Sequence, residues 1–280
     1  MRLNDKAIVY IPDGTESNQA LARTTHLCIA AHQDDIEFMA FSPIAECFGS
    51  KDKYFCGVVT TDGAGSPRNG LYANYTDEDM KKIRITEQKK AATVGEYTAQ
   101  ILLGYSSKQV KDKNNDQVVH DYIEILKVTK PEYVYIHNLA DKHETHVATA
   151  IKAIKAMRKL NDKDKPKMVY GCEVWRDLDW MNDDEKILLD CSSHQNLARA
   201  LSSVFDSQIV GGKRYDVAVE GRRAANATFG KNVCDEYQAL NYAMDLTPLI
   251  YDENIDMTKY VTGYIQRFLE SVNRTIKDLL

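Results

Sequence analysis

Five short apolar runs alternate with amphipathic stretches through the first 175 residues, and this alternation leaves few architectures open. "HLCIAAH" (26–32), "YFCGVVTTDG" (54–63), "TAQILLGYSS" (98–107), "YVYIHN" (133–138) and "KMVYGCEVW" (167–175) have the length and continuity of buried strands. Three helices are expected among them. "DEDMKKIRITEQKKAATVG" (77–95) opens on a capping Asp77 and stops at Gly95. "DQVVHDYIEILKVTK" (116–130) puts Val118, Tyr122, Ile125 and Leu126 on one face and ends before Pro131. "HETHVATAIKAIKAMRKL" (143–160) aligns Val147, Ile151, Ile154 and Met157. Such a pattern predicts an α/β fold: a Rossmann-like open sheet, mostly parallel, with helices on both faces.

The motif-bearing α/β part spans about 25–175, and the part from about 190 to 280 reads as mostly helical. No linker, repeat or low-complexity stretch interrupts the chain, so one domain is expected over 1–280. The last segment, "MTKYVTGYIQRFLESVNRTIKDLL" (257–280), carries an apolar stripe from Tyr260 to Leu279 that can pack on the domain or on a second subunit, which leaves room for a homo-oligomer.

Composition matters here for what it excludes. A formal charge of −5 and the lack of any Lys/Arg run argue against a dedicated nucleic-acid partner. No apolar run approaches the 18 residues of a membrane span. The six cysteines form no CxxC pair, and several lie in strand-like runs, where a reduced thiol behaves as a small hydrophobe. The opening "MRLNDKAIVYIPDG" lacks the apolar core of a secretory signal, so a cytoplasmic location is expected.

In open parallel sheets ligands bind beyond the carboxyl ends of the strands. There the chain places three polar loops: "HQDDIE" after the first strand, "TDGAGSPRNG" after the second and "HNLADKHETH" after the fourth. A dinucleotide site would need glycines in the first loop for the backbone to approach a pyrophosphate. That loop has none, and Asp34, Asp35 and Glu37 would repel the phosphates. A metal suits these residues better, because zinc takes imidazole nitrogen and carboxylate oxygen, usually from three protein ligands in a catalytic site. The first loop can supply His32 and one aspartate. "HETH" supplies two histidines at i, i+3 on one helix face, one for the metal and one for the substrate.

These segments together resemble the LmbE-like (PIG-L-like) zinc de-N-acetylases, which remove acetyl groups from N-acetylglucosamine-containing substrates. "AHQDDIEF" resembles that family's H-x-D-D-x-E signature, and "VVTTDGAGS" its second-strand loop. "IRITEQKKAATVG" is similar to its R-x-x-E-x-x-x-A helix through Arg84, Glu87 and Ala91, and "DKHETH" to its D-x-H-x-x-H segment through Asp141, His143 and His146. The likeness covers roughly residues 25–175, with a fainter echo in "FDSQ" (205–208). Gln33 stands where proline is usual and Thr145 where aspartate is usual; neither is a ligand in the family pattern. The resemblance implies that His32, Asp35 and His146 bind Zn2+ (or another divalent ion such as Fe2+), that Asp34 is the general base, and that a protonated His143 assists at the oxyanion or leaving group. It also implies a small N-acetylated sugar or glycoconjugate as substrate.

Around that set, Arg68 in the second loop either grips substrate hydroxyls or a phosphate, or is a solvated surface residue. Glu37 either supports a ligand histidine from behind or caps a helix, support being the expected role; Asp141 is expected in the same supporting position. Trp175 and Trp180 are read chiefly as core packing, with the wall of a sugar pocket as the alternative, and "GRRAANATFG" (221–230) as a helix end, with substrate contact as the alternative. Two other functions use the same residues: a zinc amidase on a non-sugar N-acyl substrate, and a non-catalytic metal- or sugar-binding protein. The second has no need of Asp34.

Overall fold

A computed structural model describes residues 1–230 and 236–280; Cys234 lies outside the described residues. Eight strands form one sheet: β1 (Ile8–Tyr10), β2 (His26–Ala30), β3 (Phe55–Thr61), β4 (Ala99–Tyr105), β5 (Tyr133–His137), β6 (Met168–Cys172), β7 (Ile187–Asp190) and β8 (Leu240–Asp245), in the order β1-β4-β3-β2-β5-β6-β8-β7. The five strands expected from the sequence make the parallel centre, with Leu27 opposite Cys56 on one side of β2 and Val134 on the other. The other three are antiparallel additions: β1 on β4, β8 on β6 and β7 on β8. The C-terminal part, expected to be mostly helical, therefore also contributes two strands to the sheet.

Both faces of the sheet are covered, and alternate residues of each strand serve different layers. Leu27 and Ile29 of β2 join Val58, Ile101 and Val134 under the helices Gln117–Thr129 and Glu144–Arg158. Cys28 and Ala30 join Phe55, Val59 and Tyr135 on the opposite side, against the helices Phe41–Cys47, Asp77–Val94 and Gln195–Ser203. Two-sided burial explains why the strands read as unbroken apolar runs. The helix Asp77–Val94 starts one residue after the cap itself: Thr76 accepts from Asp79 N, and Asp79 returns the bond to Thr76 N, a capping box.

The strand order reverses at β2. The chain runs outward from β2 to β3 and β4, then returns to lay β5 on the other side of β2. Such a reversal opens a crevice at the carboxyl ends of the two strands, and the loops after β2 and β5 enter it. The closing helix Met257–Leu279 is seated only at its start, where Val261 is buried and Met257, Tyr260 and Tyr264 pack on the core. Ile265, Leu269, Ile276 and Leu279 are exposed, so the domain covers only the first part of the stripe. Among the described residues no helix is long and apolar enough to cross a membrane.

Candidate metal centre and active site

β2 ends at Ala30, and the chain turns at once into the short helix Asp35–Met39. The turn brings three donor atoms together. His32 Nδ1 lies 3.1 Å from Asp35 Oδ2 and 3.1 Å from His146 Nε2, and His146 Nε2 lies 3.4 Å from Asp35 Oδ2. With metal–nitrogen bonds of about 2.0–2.1 Å, the donors of a tetrahedral ion stand about 3.3 Å apart. The triangle thus has the edge lengths of one face of that tetrahedron, and the residues fit a divalent cation. Burial alone would raise the pKa of Asp35, but His146, His32 and His137 around it hold it well below the usual carboxylate range. Burial opposes a proton on His146, yet Asp35 and Asp141 raise its pKa, so the pocket favours positive charge at this point.

His137 was not singled out from the sequence, yet it closes the back of the triangle. It is fully buried at the end of β5, stacks on His146 with ring centroids 4.0 Å apart, and has its Nε2 3.5 Å from Asp35 Oδ2. Ala31 N donates to that Nε2 at 2.9 Å. The lone pair is therefore engaged, which separates His137 from the three donors although it lies among them. Its only sequence signal was a polar residue ending an apolar run.

Asp34 sits at the helix N-cap position without a capping bond from its side chain, and its φ of 84° is left-handed, a conformation that costs a non-glycine residue about 1–3 kcal/mol. The surroundings fix it there. Its N–H donates to Gln88 Oε1 at 3.2 Å, and its Oδ2 accepts from Arg84 Nη2 at 3.0 Å. Arg84, itself buried, also pairs with Glu87 at 2.9 Å and donates to Gln33 O. Glu87 in turn accepts from Ser207 N at 2.7 Å and Ser207 Oγ at 2.8 Å. The Arg-Glu helix and the "FDSQ" segment thus form one buried clamp on Asp34. Burial lifts the Asp34 carboxyl to about 7 against the pull of Arg84. Its second oxygen has no hydrogen bond among the described residues.

Other expectations meet mixed outcomes. Asp141 stands behind His146, with Oδ1 3.5 Å from His146 Nδ1, and is fixed by His143 N at 2.8 Å and Trp175 N at 3.1 Å. Its geometry is that of a support for a ligand histidine. Glu37 is not in that position: its carboxylate accepts from Gln88 Nε2 and Tyr97 Oη, each at 2.8 Å, and burial pushes it up to about 8. It acts on Gln88, and through it on Asp34. His143 faces His32 and His146, with ring centroids 4.9 and 4.6 Å away. The proton expected on it from the sequence is absent at neutral pH, since burial with His146 and His32 lowers its pKa to about 4. Thr145 N donates to Nδ1 at 3.3 Å, which leaves the hydrogen on Nε2 as a donor. Arg68 is not brought to the site: it ion-pairs with Asp77 and donates to Ala64 O at 3.0 Å, near the start of the helix Asp77–Val94.

A cavity of about 390 Å³ opens over Asp34 and Asp35, with Trp175, Tyr215 and Phe38 among its walls. Trp175 meets Tyr215 edge-on at 5.2 Å and lines this cavity, not the core. Trp180 lines a separate apolar groove beneath the closing helix. Of the two arginines at 222 and 223, Arg222 lines the cavity, whereas Arg223 is buried and bonds to Asn241 Oδ1 at 2.8 Å and to the carbonyls of Glu37 and Phe38.

The second-strand loop contributes through its backbone. Gly63 has φ +76°, and a Cβ there would come within 2.8 Å of Gln33 Oε1 and 2.9 Å of Arg84 Cβ. Gly63→Ala is expected to cost about 1–3 kcal/mol through overpacking and the left-handed backbone, and to lower turnover by shifting Arg84. Urea denaturation checks the first effect; an unchanged midpoint would mean that the loop yields freely.

The chain is thus an α/β domain of Rossmann-like form with a His–Asp–His donor triangle at its topological switch point and a clamped aspartate beside it. Residues 27–157 match the family model described as GlcNAc-PI de-N-acetylase, PIG-L. No curated protein matches the sequence. Among solved structures, the chain is similar to N,N'-diacetylchitobiose deacetylase from Pyrococcus horikoshii (16% identity, TM-score 0.63, 82% of this chain and 86% of that one). It is also similar to GalB, the 4-carboxy-2-hydroxymuconate hydratase from Pseudomonas putida KT2440 (17%, TM-score 0.61, 80% and 97%). A third is the teicoplanin deacetylase Orf2 in a zinc-inhibited form (13%, TM-score 0.55, 80% and 99%). At these identities the likeness establishes the fold.

Proposed function

We propose that this protein is a metal-dependent de-N-acetylase acting on an N-acetylglucosamine-type amino sugar or glycoconjugate, with His32, Asp35 and His146 holding a divalent ion, Zn2+. The observation that carries the reading is the donor triangle with Asp34 beside it, a carboxylate held by Arg84 in a strained backbone and facing a cavity. A structural ion has no use for such a neighbour. The family match supports deacetylation over the hydration carried out by the similar fold of GalB.

A cation bound by the triangle supplies Lewis acidity, polarising the acyl carbonyl and making water a better nucleophile at neutral pH. The free oxygen of Asp34 takes a proton from the attacking water, while Arg84 fixes the other oxygen and so the direction of transfer. His143 Nε2–H donates to the carbonyl oxygen as negative charge gathers there, in its neutral form. Asp34 then returns its proton to the nitrogen, the C–N bond breaks, and acetate and a free amine leave. Asp141 holds His143 N and faces His146 from behind, keeping both rings in place. Trp175 and Tyr215 wall the cavity with aromatic surface, which limits water beside the acyl group.

The test is acetate release from a panel of N-acetylated sugars by the metal-loaded enzyme, beside N-acyl amino acids and a conjugated dicarboxylate whose absorbance falls on hydration. Acetate from an amino sugar is expected. Turnover of only the amino acids would make this a non-sugar amidase, loss of absorbance alone a hydratase, and no turnover with retained metal a binding protein.

A further inference from the structure

The cavity over Asp34 and Asp35 has a charge that the chain as a whole lacks. Lys142 enters from the loop after β5, Lys213 from the segment before the helix Tyr215–Phe229, and Arg222 from that helix. Among the described residues none of the three forms an ion pair; Lys213 lies 5.9 Å from the centre of the Trp175 ring, and Arg222 donates to Val174 O with the buried Glu173 carboxyl in its field. A fourth cation in the lining, Arg214, is neutralised by Asp216 at 3.1 Å. The carboxylates of the lining do not answer these charges. Asp34 shares Arg84 with Glu87, and Asp35 lies among the histidines. Three cations thus line a small cavity in a chain of net charge −5. Cations gathered around a concave, aromatic-walled site concentrate field there and select for negative charge in what enters.

We propose that the substrate carries an anionic substituent, a phosphate or carboxylate, held by Lys142, Lys213 and Arg222 while its N-acyl group reaches Asp34. The inference rests on the deacetylase reading for the acyl end and on the cavity's charge for the other. The sequence placed such a contact at Arg68, which is spent on Asp77. Of the three, only Arg222 lies in a stretch that the sequence marks, and there substrate contact is the lesser reading; the cations come from separate segments, each holding only one or two basic residues.

The experiment separates the two claims. Trp175 and Trp180 are the only tryptophans, so a Trp180→Phe background makes fluorescence report the cavity alone. Quenching of the metal-loaded protein is titrated with glucosamine 6-phosphate, with muramic acid as the carboxylate arm, and with glucosamine as the neutral partner. The phosphate or carboxylate sugar is expected to bind at least about 10-fold more tightly than the neutral one, as charge-assisted hydrogen bonds imply, and the advantage should shrink as salt rises. The anionic-to-neutral preference should fall about 10-fold in Lys142→Ala/Lys213→Ala and persist in Lys155→Ala, a control on the exposed side of the helix Glu144–Arg158. Equal binding of all three sugars, or a preference untouched by the double variant, overturns the anionic subsite. Acetate release from the corresponding N-acetyl sugars is followed in parallel. Preference without acetate keeps the subsite and sinks the deacetylase reading; acetate at equal efficiency from charged and neutral sugars does the reverse.

Discussion

Replacing Asp34 by Asn is expected to lower acetate release by about 10²–10⁴-fold, the usual worth of a general base, while metal stays bound. Asparagine keeps the size of the side chain and still offers an oxygen to Arg84 Nη2, so the clamp of Arg84, Glu87 and Ser207 persists. It has no basic oxygen to take the proton. Thermal unfolding and metal content measured on the same sample separate loss of the base from loss of the fold. Asp35→Asn provides the contrast, because Asp35 Oδ2 is a corner of the donor triangle. If Asp34→Asn lost the metal and Asp35→Asn retained it, the two aspartates would have exchanged roles.

His146→Ala is expected to lose both the ion and the activity. His146 Nε2 supplies two of the three edges of the triangle, and two remaining donors make a poor site for zinc. His137 lies beside it but cannot take over, since its Nε2 accepts from Ala31 N and sits behind Asp35. The expected stoichiometry, by elemental analysis after dialysis, falls from about one ion per chain to near none. His143→Ala should keep the ion and lose turnover, because His143 offers a hydrogen bond at the substrate. Full occupancy and activity in His146→Ala would move the third ligand to another histidine.

The sequence disclosed the centre of the sheet because strands buried on both faces must be apolar throughout, as Leu27–Ala30 and Val134–Ile136 are. The added strands carry a weaker signal. β1 is three residues of intermediate burial, and β8, "LNYAMD", mixes Asn241 and Ala243 with aromatic and apolar residues, so that neither an alternating nor a continuous pattern stands out. In the site, local spacing offers His32 with one of two aspartates and His143 with His146, since a turn and a helix bring such neighbours together; the choice of Asp35 over Asp34 comes from the family resemblance. Glu37 and Arg68 were assigned by proximity to the motifs, and both have other partners. What pairs with a charged side chain depends on neighbours dozens of residues away, such as Gln88 for Glu37. Lys213 and Tyr215 in the cavity wall belong to the same category, whereas Trp175 carries that role in the sequence only as an alternative to core packing.

The left-handed backbone at Asp34 makes this site a loaded spring with three catches: the Gln88 amide, the Arg84 guanidinium and the Gly63 turn pressed against it. None of the three touches the donor triangle through its side chain, so each can drift during divergence without dismantling the triangle. A descendant that loses one catch would let residue 34 relax toward an ordinary helix cap and swing its carboxylate away from the cavity. The ion would remain, and the enzyme would become a metal-binding relic of itself. Retained metal is therefore a poor marker of retained chemistry in this architecture; the dihedral angle at one aspartate is the better one.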